Sequence, residues 1–406
     1  MSKEKSEIKN FKTLLLLPAL LLGMSLAFTV NVFFSTLLVD IAASFKVSIG
    51  TASQLGLVSS IIGLIMGFAM FSLSIKFQHK SLFLFGIAIF GAGTLGFFLA
   101  QNFATLLLFQ SFIGVGSSII VIMIYTLIGE LFPLEKRGWA VGLAVAAMGA
   151  SYIIVGPFSG LISDIAGWRS VLLWLIFPFS LACFALGSLV VPSKQPQLQS
   201  PTMSLYSKAF KQVLLNKSAM ACVIGTTLFT CVGVVPFYAI SFYRLVFAVS
   251  PFIGGVFSSI AAVGAILGGI GGGRLINRCG RKPLTVTASL VSGIFAIIFS
   301  YMPNMLISVA FWAISAGTAA ITLSALFSLA LEQVPSFKGS MMSINSTFQN
   351  TGTILGLIIG GLVLNIYHND FQLLMTIFGT LGIASAPIIF LLAKDPCEPR
   401  KKPAQK

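Results

Sequence analysis

Charge is what this 406-residue chain has least of. Only 9% of its residues are Asp, Glu, Lys or Arg, against 57% hydrophobic, and its mean hydropathy is +1.00. Soluble domains carry about a quarter charged residues. A water-soluble globule is therefore excluded, and a polytopic membrane protein is expected. Histidine is nearly absent: His79 and His368 are too few and too far apart in the chain for a metal site. The five cysteines (Cys183, Cys222, Cys231, Cys279, Cys397) contain no CxxC pair, so they read as small apolar fillers and not as a disulfide or zinc framework. No G-x-x-x-x-G-K-[ST] occurs, and the glycines of "LGGIGGG" lie inside an apolar run, which speaks against a nucleotide-driven pump. No cofactor is expected. The net charge of +15 could suggest nucleic acid, but the basic residues sit in short gaps between apolar runs, so no nucleic-acid partner is expected.

A spanning helix needs about 20 apolar residues. Twelve runs qualify: 13–39, 51–74, 81–100, 103–129, 139–165, 169–191, 218–243, 250–275, 283–302, 304–331, 340–366 and 371–393. Lipid offers no partner to open backbone groups, so these are expected as helices, and the fold class is an all-α polytopic membrane protein. The basic start "MSKEKSEIKNFK" resembles a signal peptide. The apolar run that follows is too long for that and ends in no convincing cleavage site, so it reads as the retained first span.

The gaps between runs set the orientation. All but three of the 25 Lys and Arg fall on the amino-terminal side; only Lys46, Arg169 and Arg244 fall on the other. The positive-inside rule then places both termini in the cytoplasm, with the chain multi-pass in the cytoplasmic membrane.

The loops also repeat. "LSIKFQHKSL" (73–82) aligns with "LINRCGRKPL" (275–284), matching Lys76 to Arg278, Lys80 to Lys282 and Leu82 to Leu284. At the same offset "ELFPLEK" (130–136) aligns with "EQVPSFK" (332–338), giving Glu-x-x-Pro-x-x-Lys twice. Two matches at one offset predict a duplicated six-helix unit: a first bundle over 1–191, a cytoplasmic linker over 192–217, a second bundle over 218–393 and a basic cytoplasmic tail over 394–406. Repeated halves of this kind serve alternating access in many secondary transporters.

These features resemble the major facilitator superfamily over the whole chain, and its twelve-helix drug-efflux, drug:proton antiporter branch in particular. "GGRLINRCGRKPL" is close to the family's loop pattern G-x-L-a-D-R-x-G-R-R/K, with Asn277 where Asp is usual; the first-half copy is degraded. The resemblance implies that Arg278, Gly280, Arg281 and Lys282 help hold a cytoplasmic gate, with Glu130 and Glu332 as candidate counter-charges. Exposed pairs are worth only about 0–1 kcal/mol each, which suits a latch that must open. Plain topology-setting charge accounts for the same residues.

In the fifth span "GLAVAAMGASYIIVGPFSGLISDIAGWRS", Gly149, Gly156, Pro157 and Gly160 resemble the antiporter signature, a glycine run ending in G-P-x-x-G-G. Tyr152 and Leu161 depart from it. Generic membrane packing of small residues is the plainer explanation. The eleventh span opens "GSMMSINSTFQNTGTILGLIIGG", which resembles the same branch. Asn345 and Gln349 share a helix face there, directed at a cavity or at another helix.

None of the ten acids lies at the middle of a predicted span. Asp40, at the outer end of the first, comes nearest. Proton-coupled carriers place a carboxyl inside the membrane. Gln110, moreover, stands where the family's fourth helix usually has arginine. Asp40 or a cytoplasmic acid carries the proton, or the carrier runs uncoupled; both readings stay open, and protons are an optional partner. A cavity without buried charge suits small neutral, amphipathic or weakly cationic molecules. By resemblance, spans 1, 4, 7 and 10 line it, which favours Asn31, Gln110, Tyr238 and Trp312, with Tyr152, Asn345 and Gln349 as further lining candidates.

The expected function is export of small drug-like organic compounds by alternating access, by a monomer as the family resemblance implies. Transport of a neutral metabolite such as a sugar or nucleoside, or a non-transporting receptor, are the alternatives. An enzyme is not expected.

Overall fold

Apolar runs bordered by helix-capping residues become helices. In the computed structural model, described over residues 2–193, 212, 213, 215–334 and 338–395, no strand occurs among the described residues, and twelve helices are long and apolar enough to cross a membrane. Side chains are described for these residues except 2–14, 71, 72, 75, 134–139, 277, 338–340 and 343. The helices are α1 (Ser2–Phe45), α2 (Gln54–Lys76, led in by the single turn Ile49–Ala52), α3 (His79–Leu99), α4 (Phe103–Leu131), α5 (Leu134–Ala166), α6 (Trp168–Val190), α7 (Lys217–Val246), α8 (Pro251–Cys279), α9 (Arg281–Tyr301), α10 (Met305–Leu331), α11 (Lys338–Ile366) and α12 (Phe371–Leu392). Each expected span finds its helix. The expected linker and tail fall largely outside the described residues.

Local chemistry starts and stops these helices. Asn102 opens α4 with a reciprocal capping box: its Oδ1 accepts from Thr105 N at 2.8 Å, while Asn102 N donates to Thr105 Oγ1 at 3.3 Å. Asn216 and Asn304 cap α7 and α10 more simply, their side-chain oxygens accepting from backbone N–H groups of the first turn. Gly167 (φ +82°) and Gly280 (φ +81°) make the sharp α5–α6 and α8–α9 joints, a backbone region that disfavours any side chain. Within α6 one π turn, Leu172–Ile176, precedes Pro178, whose missing N–H and bulky ring disturb the regular ladder. α7 is broken at Gly233–Val234, between Val232 and Val235.

The described chain packs as two compact units. The first comprises Met1–Ser200, Pro236–Ala262 and Leu357–Phe371; the second comprises Pro201–Val235, Val263–Gly356 and Gln372–Lys406. Packing defines these units. The assignment of 1–191 and 218–393 to two six-helix bundles stays an expectation from the repeat.

The first unit has an aromatic core at one end. Phe33 lies 5.4 Å from Phe34 and 6.2 Å from Phe97, and Phe97 meets Trp168 edge-on at 6.2 Å. Trp168 donates Nε1–H to Ser44 at 2.8 Å. Arg169 stacks on Trp168 at 4.9 Å and donates to the carbonyls of Phe98 and Ala100, at 2.9 and 2.8 Å, where α3 ends. Those carbonyls have no partner within their own helix.

The second unit is built on Cys222, Val223, Leu326, Leu329, Met341 and Ile389, all buried. Its α9–α10 contact is tied by Ser292 and Ser315, each donating to the other's carbonyl, at 3.1 and 3.0 Å. Large apolar side chains such as Phe68, Ile165 and Leu391 are 70–75% exposed, which is the surface a bilayer covers.

Candidate functional site

Inside the first unit, segments of α7, α8 and α11 lie against α1, α2 and α5. They do so at the helix ends that the charge pattern assigns to the outside, called the outer ends below. Three contacts hold them. The first is ionic. Arg244 of α7 donates Nη2–H to Asp40 Oδ1 of α1 at 2.7 Å and Nη1–H to Asp40 Oδ2, a bidentate fork. Nη1 also reaches the carbonyl of Thr36 at 3.4 Å. The arginine side chain is 10% exposed and the aspartate 26%. The sequence singled out Asp40 as a candidate proton site but read Arg244 only as one of three basic residues on the outer side. Two opposite charges at the outer ends of spans 1 and 7, equivalent spans of the repeat, were the available signal.

The second contact is the helix-5 motif. A Cβ on Gly156 would lie 3.1 Å from the carbonyl oxygen of Gly255 in α8, and one on Gly255 would overlap the backbone of Gly156. A Cβ on Gly160 would come within 2.6 Å of Phe252 Cα. Absent side chains let the two backbones touch. Ser259 of α8 donates to the carbonyls of Tyr152 and Ile153, at 3.2 and 3.0 Å. Asp164 at the end of α5 accepts from Phe252 N at 3.2 Å, capping the first turn of α8. Pro157 lies within α5 beside this crossing, and Gly149, about two turns before it, is half-buried.

The third contact repeats the second. A Cβ on Gly361 of α11 would lie 3.1 Å from the carbonyl oxygen of Gly50, and one on Gly50 would overlap Gly361 and Asn365. Ser48 hydrogen-bonds Asn365. Gly50 and Gly255 are 205 residues apart in the chain, as are Gly156 and Gly361, so the two crossings match each other at a spacing three residues longer than the 202-residue offset of the loops. No motif marked Gly50 or Gly361, and sequence reasoning passed over both.

The expected cavity residues separate by environment. In the first unit Gln110 is fully buried on α4 and donates Nε2–H to Ser59 of α2; its Oε1 is buried without a hydrogen-bond partner. Tyr238 is fully buried on α7 and donates its hydroxyl to the carbonyl of Leu357 at 3.2 Å. Tyr152 is half-buried and Asn31 exposed. In the second unit Trp312 is buried against Phe299, with ring centroids 6.4 Å apart. Asn345 is buried, with its Oδ1 2.8 Å from Thr226 Oγ1 of α7. Gln349 is half-buried, and its carbonyl accepts from Thr230 at 3.2 Å. Helix–helix packing thus absorbs Gln110, Tyr238, Trp312 and Asn345, while Asn31, Tyr152 and Gln349 keep open surface.

The expected gating residues sit at the opposite helix ends. Glu130 closes α4, with its Oε1 2.9 Å from Nδ1 of His79 at the start of α3. In the second unit Arg278 is exposed, and Lys282 lies 5.4 Å from the ring centroid of Phe390. Arg281 is half-buried, with Nη1 lacking a hydrogen-bond partner. Gly280 makes the joint between them, Glu332 caps α10 through its backbone, and the side chain of Asn277 lies outside the described ones.

The chain is similar to known proteins in sequence and in fold. A 31% identity over 116 residues links the chain to an uncharacterized MFS-type transporter, YcnB, of Bacillus subtilis, covering 29% of this chain and 24% of that protein. Multidrug resistance protein 3 of the same organism is 29% identical over 167 residues, covering 40% and 32%. Multidrug resistance protein MdtG of Escherichia coli is 25% identical over 272 residues, covering 65% and 66%. The matched stretches thus span from about a quarter to two thirds of these relatives' lengths. Among solved structures, a D-xylose-proton symporter superposes with a TM-score of 0.78 at 17% identity, over 94% of this chain and 98% of that one. The nucleoside transporter NupG superposes with 0.78 at 16% identity, over 93% and 100%. The family model described as Major Facilitator Superfamily matches residues 19–276 and 247–406. Twelve membrane-capable helices, this architecture and that match make the chain a multi-pass membrane protein belonging to the Major Facilitator Superfamily.

Proposed function

We propose that the chain exports small neutral or amphipathic organic compounds, of the drug-efflux kind, across the cytoplasmic membrane, with both termini inside. Two six-helix bundles, 1–191 and 218–393, rock about a substrate cavity near mid-membrane. The observation that supports this reading is the close approach of Gly156, Pro157 and Gly160 to α8, where a stretch that resembles the antiporter signature lets two helix backbones touch. The names of two relatives, both multidrug resistance proteins, support it.

In this reading the outer ends are latched by Asp40 and Arg244. Asp40 is also the proposed proton site, since a proton on its carboxylate removes the charge that the guanidinium binds. The cytoplasmic gate is assigned to the loop of Arg278, Arg281 and Lys282 with Glu130 and Glu332, and the open surface of Asn31, Tyr152 and Gln349 to substrate. The working unit is a monomer.

The test is flux in proteoliposomes of the full chain, with ethidium and a neutral amphipathic dye set against D-xylose and uridine. Efflux of the dyes alone is the expected result. Transport of sugar or nucleoside in their place would move the chain to metabolite transport, and no flux of any probe would favour a receptor.

A further inference from the structure

His79 is one of only two histidines in the chain, and nothing above gives it a role. It is 7% exposed, and both ring nitrogens face acceptors. Nε2 lies 3.0 Å from the carbonyl oxygen of Ser74, in the last turn of α2. A carbonyl only accepts, so Nε2 must carry a hydrogen. That turn is also the negative end of the helix, which favours a cation. Nδ1 lies 2.9 Å from Oε1 of Glu130. A neutral imidazole with its hydrogen on Nε2 would set a bare nitrogen lone pair against a carboxylate, two acceptors at hydrogen-bonding distance. The contact therefore requires one more proton than a neutral histidine and an ionised glutamate hold together.

The repeat adds a second, independent observation. In the alignment of 73–82 with 275–284, His79 takes the position of Arg281, and Glu130 takes that of Glu332. The second half places a permanent cation where the first half places the one side chain whose ordinary titration falls near physiological pH. Among the described side chains, no other charged group around His79 replaces this proton. Lys80 of α3 donates to the carbonyl of Ser188 in α6 at 2.7 Å, and Lys76 at the end of α2 is exposed. The side chains of Lys3, Glu4, Lys5, Glu7, Lys9 and Lys12 on α1, and of Glu135, Lys136 and Arg137 on α5, lie outside the described ones.

We infer that His79 and Glu130 form a proton-binding latch: one proton, held on His79, ties α2 and α3 to the end of α4, and its loss releases them. The latch lies on the cytoplasmic side if the orientation given under Proposed function holds. It is a different site from Asp40.

The protonation is read on the full chain with His368→Gln, which leaves a single histidine, labelled with nitrogen-15 in lipid nanodiscs. At near-neutral pH the two ring nitrogens are expected to give the matched signals of an imidazolium, and Glu130→Gln to convert them to the split pair of a neutral ring. A neutral pattern in the parent overturns the inference. Function is read as ethidium efflux from proteoliposomes at varied internal pH. The wild type is expected to change several-fold, and both His79→Arg and His79→Gln to lose that dependence. Variants that keep the wild-type profile overturn the latch. Complete absence of ethidium flux counts against the exporter reading, and the nitrogen signals still decide the proton site.

Discussion

Gly156 and Gly255 meet backbone to backbone, and a methyl group on Gly255 would overlap the peptide group of Gly156. Overpacking of such a contact costs about 1–3 kcal/mol. Gly255→Ala should therefore loosen the outer ends, and Gly361→Ala, at the matching crossing, should do the same. The check is maleimide labelling of a cysteine at Ser159, fully buried on α5. Labelling should rise in either variant over the parent. Unchanged labelling in both would mean the crossings do not hold this face.

Asp40 and Arg244 are 204 residues apart in the chain and make one fork. Removing either charge leaves the other half-buried and unpaired, a loss of about 1.5–3 kcal/mol for hydrogen bonds to charged groups. Asp40→Asn and Arg244→Gln should each lower the thermal midpoint in detergent. The double variant should lose less than the two single losses added together, because the pair is one interaction. Additive losses would show that the residues act separately. If Asp40 is the proton site, Asp40→Asn should also abolish the driving of dye efflux by a proton gradient imposed at fixed internal pH.

Asn345 offers a choice between glue and lining. Its amide contacts Thr226, and its Nδ2 has no hydrogen-bond partner. Hydrogen bonds between membrane helices average about 0.6 kcal/mol. Asn345→Leu should thus cost little stability and leave the substrate range intact, whereas Asn31→Ala and Gln349→Ala should change the concentration of dye at half-maximal flux. Altered dye preference in Asn345→Leu would put that side chain in the cavity.

Gln110 occupies a fully buried position with half its amide unpaired. Gln110→Leu exchanges one hydrogen bond for apolar packing and should stay within about 1 kcal/mol of the parent. Gln110→Arg, which restores the residue usual in related carriers, puts a charge in the membrane without a described counter-ion. It should cost about 2.5–3.5 kcal/mol. The thermal midpoints of the two variants separate these outcomes.

What could be read in advance followed from constraints that act on one stretch of chain at a time. Lipid forces each long apolar run into a helix, so twelve spans were legible, and asparagine caps such as Asn102 mark where they begin. The repeat was legible because two loops kept their spacing. Pairings across the chain were not. Nothing in the neighbourhood of Arg244 names Asp40, and nothing near Gly50 names Gly361. The i, i+4 spacing put Asn345 and Gln349 on one face but left open what that face meets, and α7 meets it at Asn345. His79 was weighed as a metal ligand, a role its isolation rules out. Its place beside Glu130 depends on how α3 packs on α4, which no local pattern encodes.

The matched spacing of Gly50 with Gly255 and of Gly156 with Gly361 bears on how such a chain could arise. A half-length protein meeting a second copy of itself about a two-fold axis would form this glycine crossing twice from a single pair of positions, since an isologous interface uses each patch on both partners. Joining the copies end to end would free the loops to diverge, as "LSIKFQHKSL" and "LINRCGRKPL" have done. A backbone-to-backbone touch tolerates no such drift, because every replacement for glycine is larger.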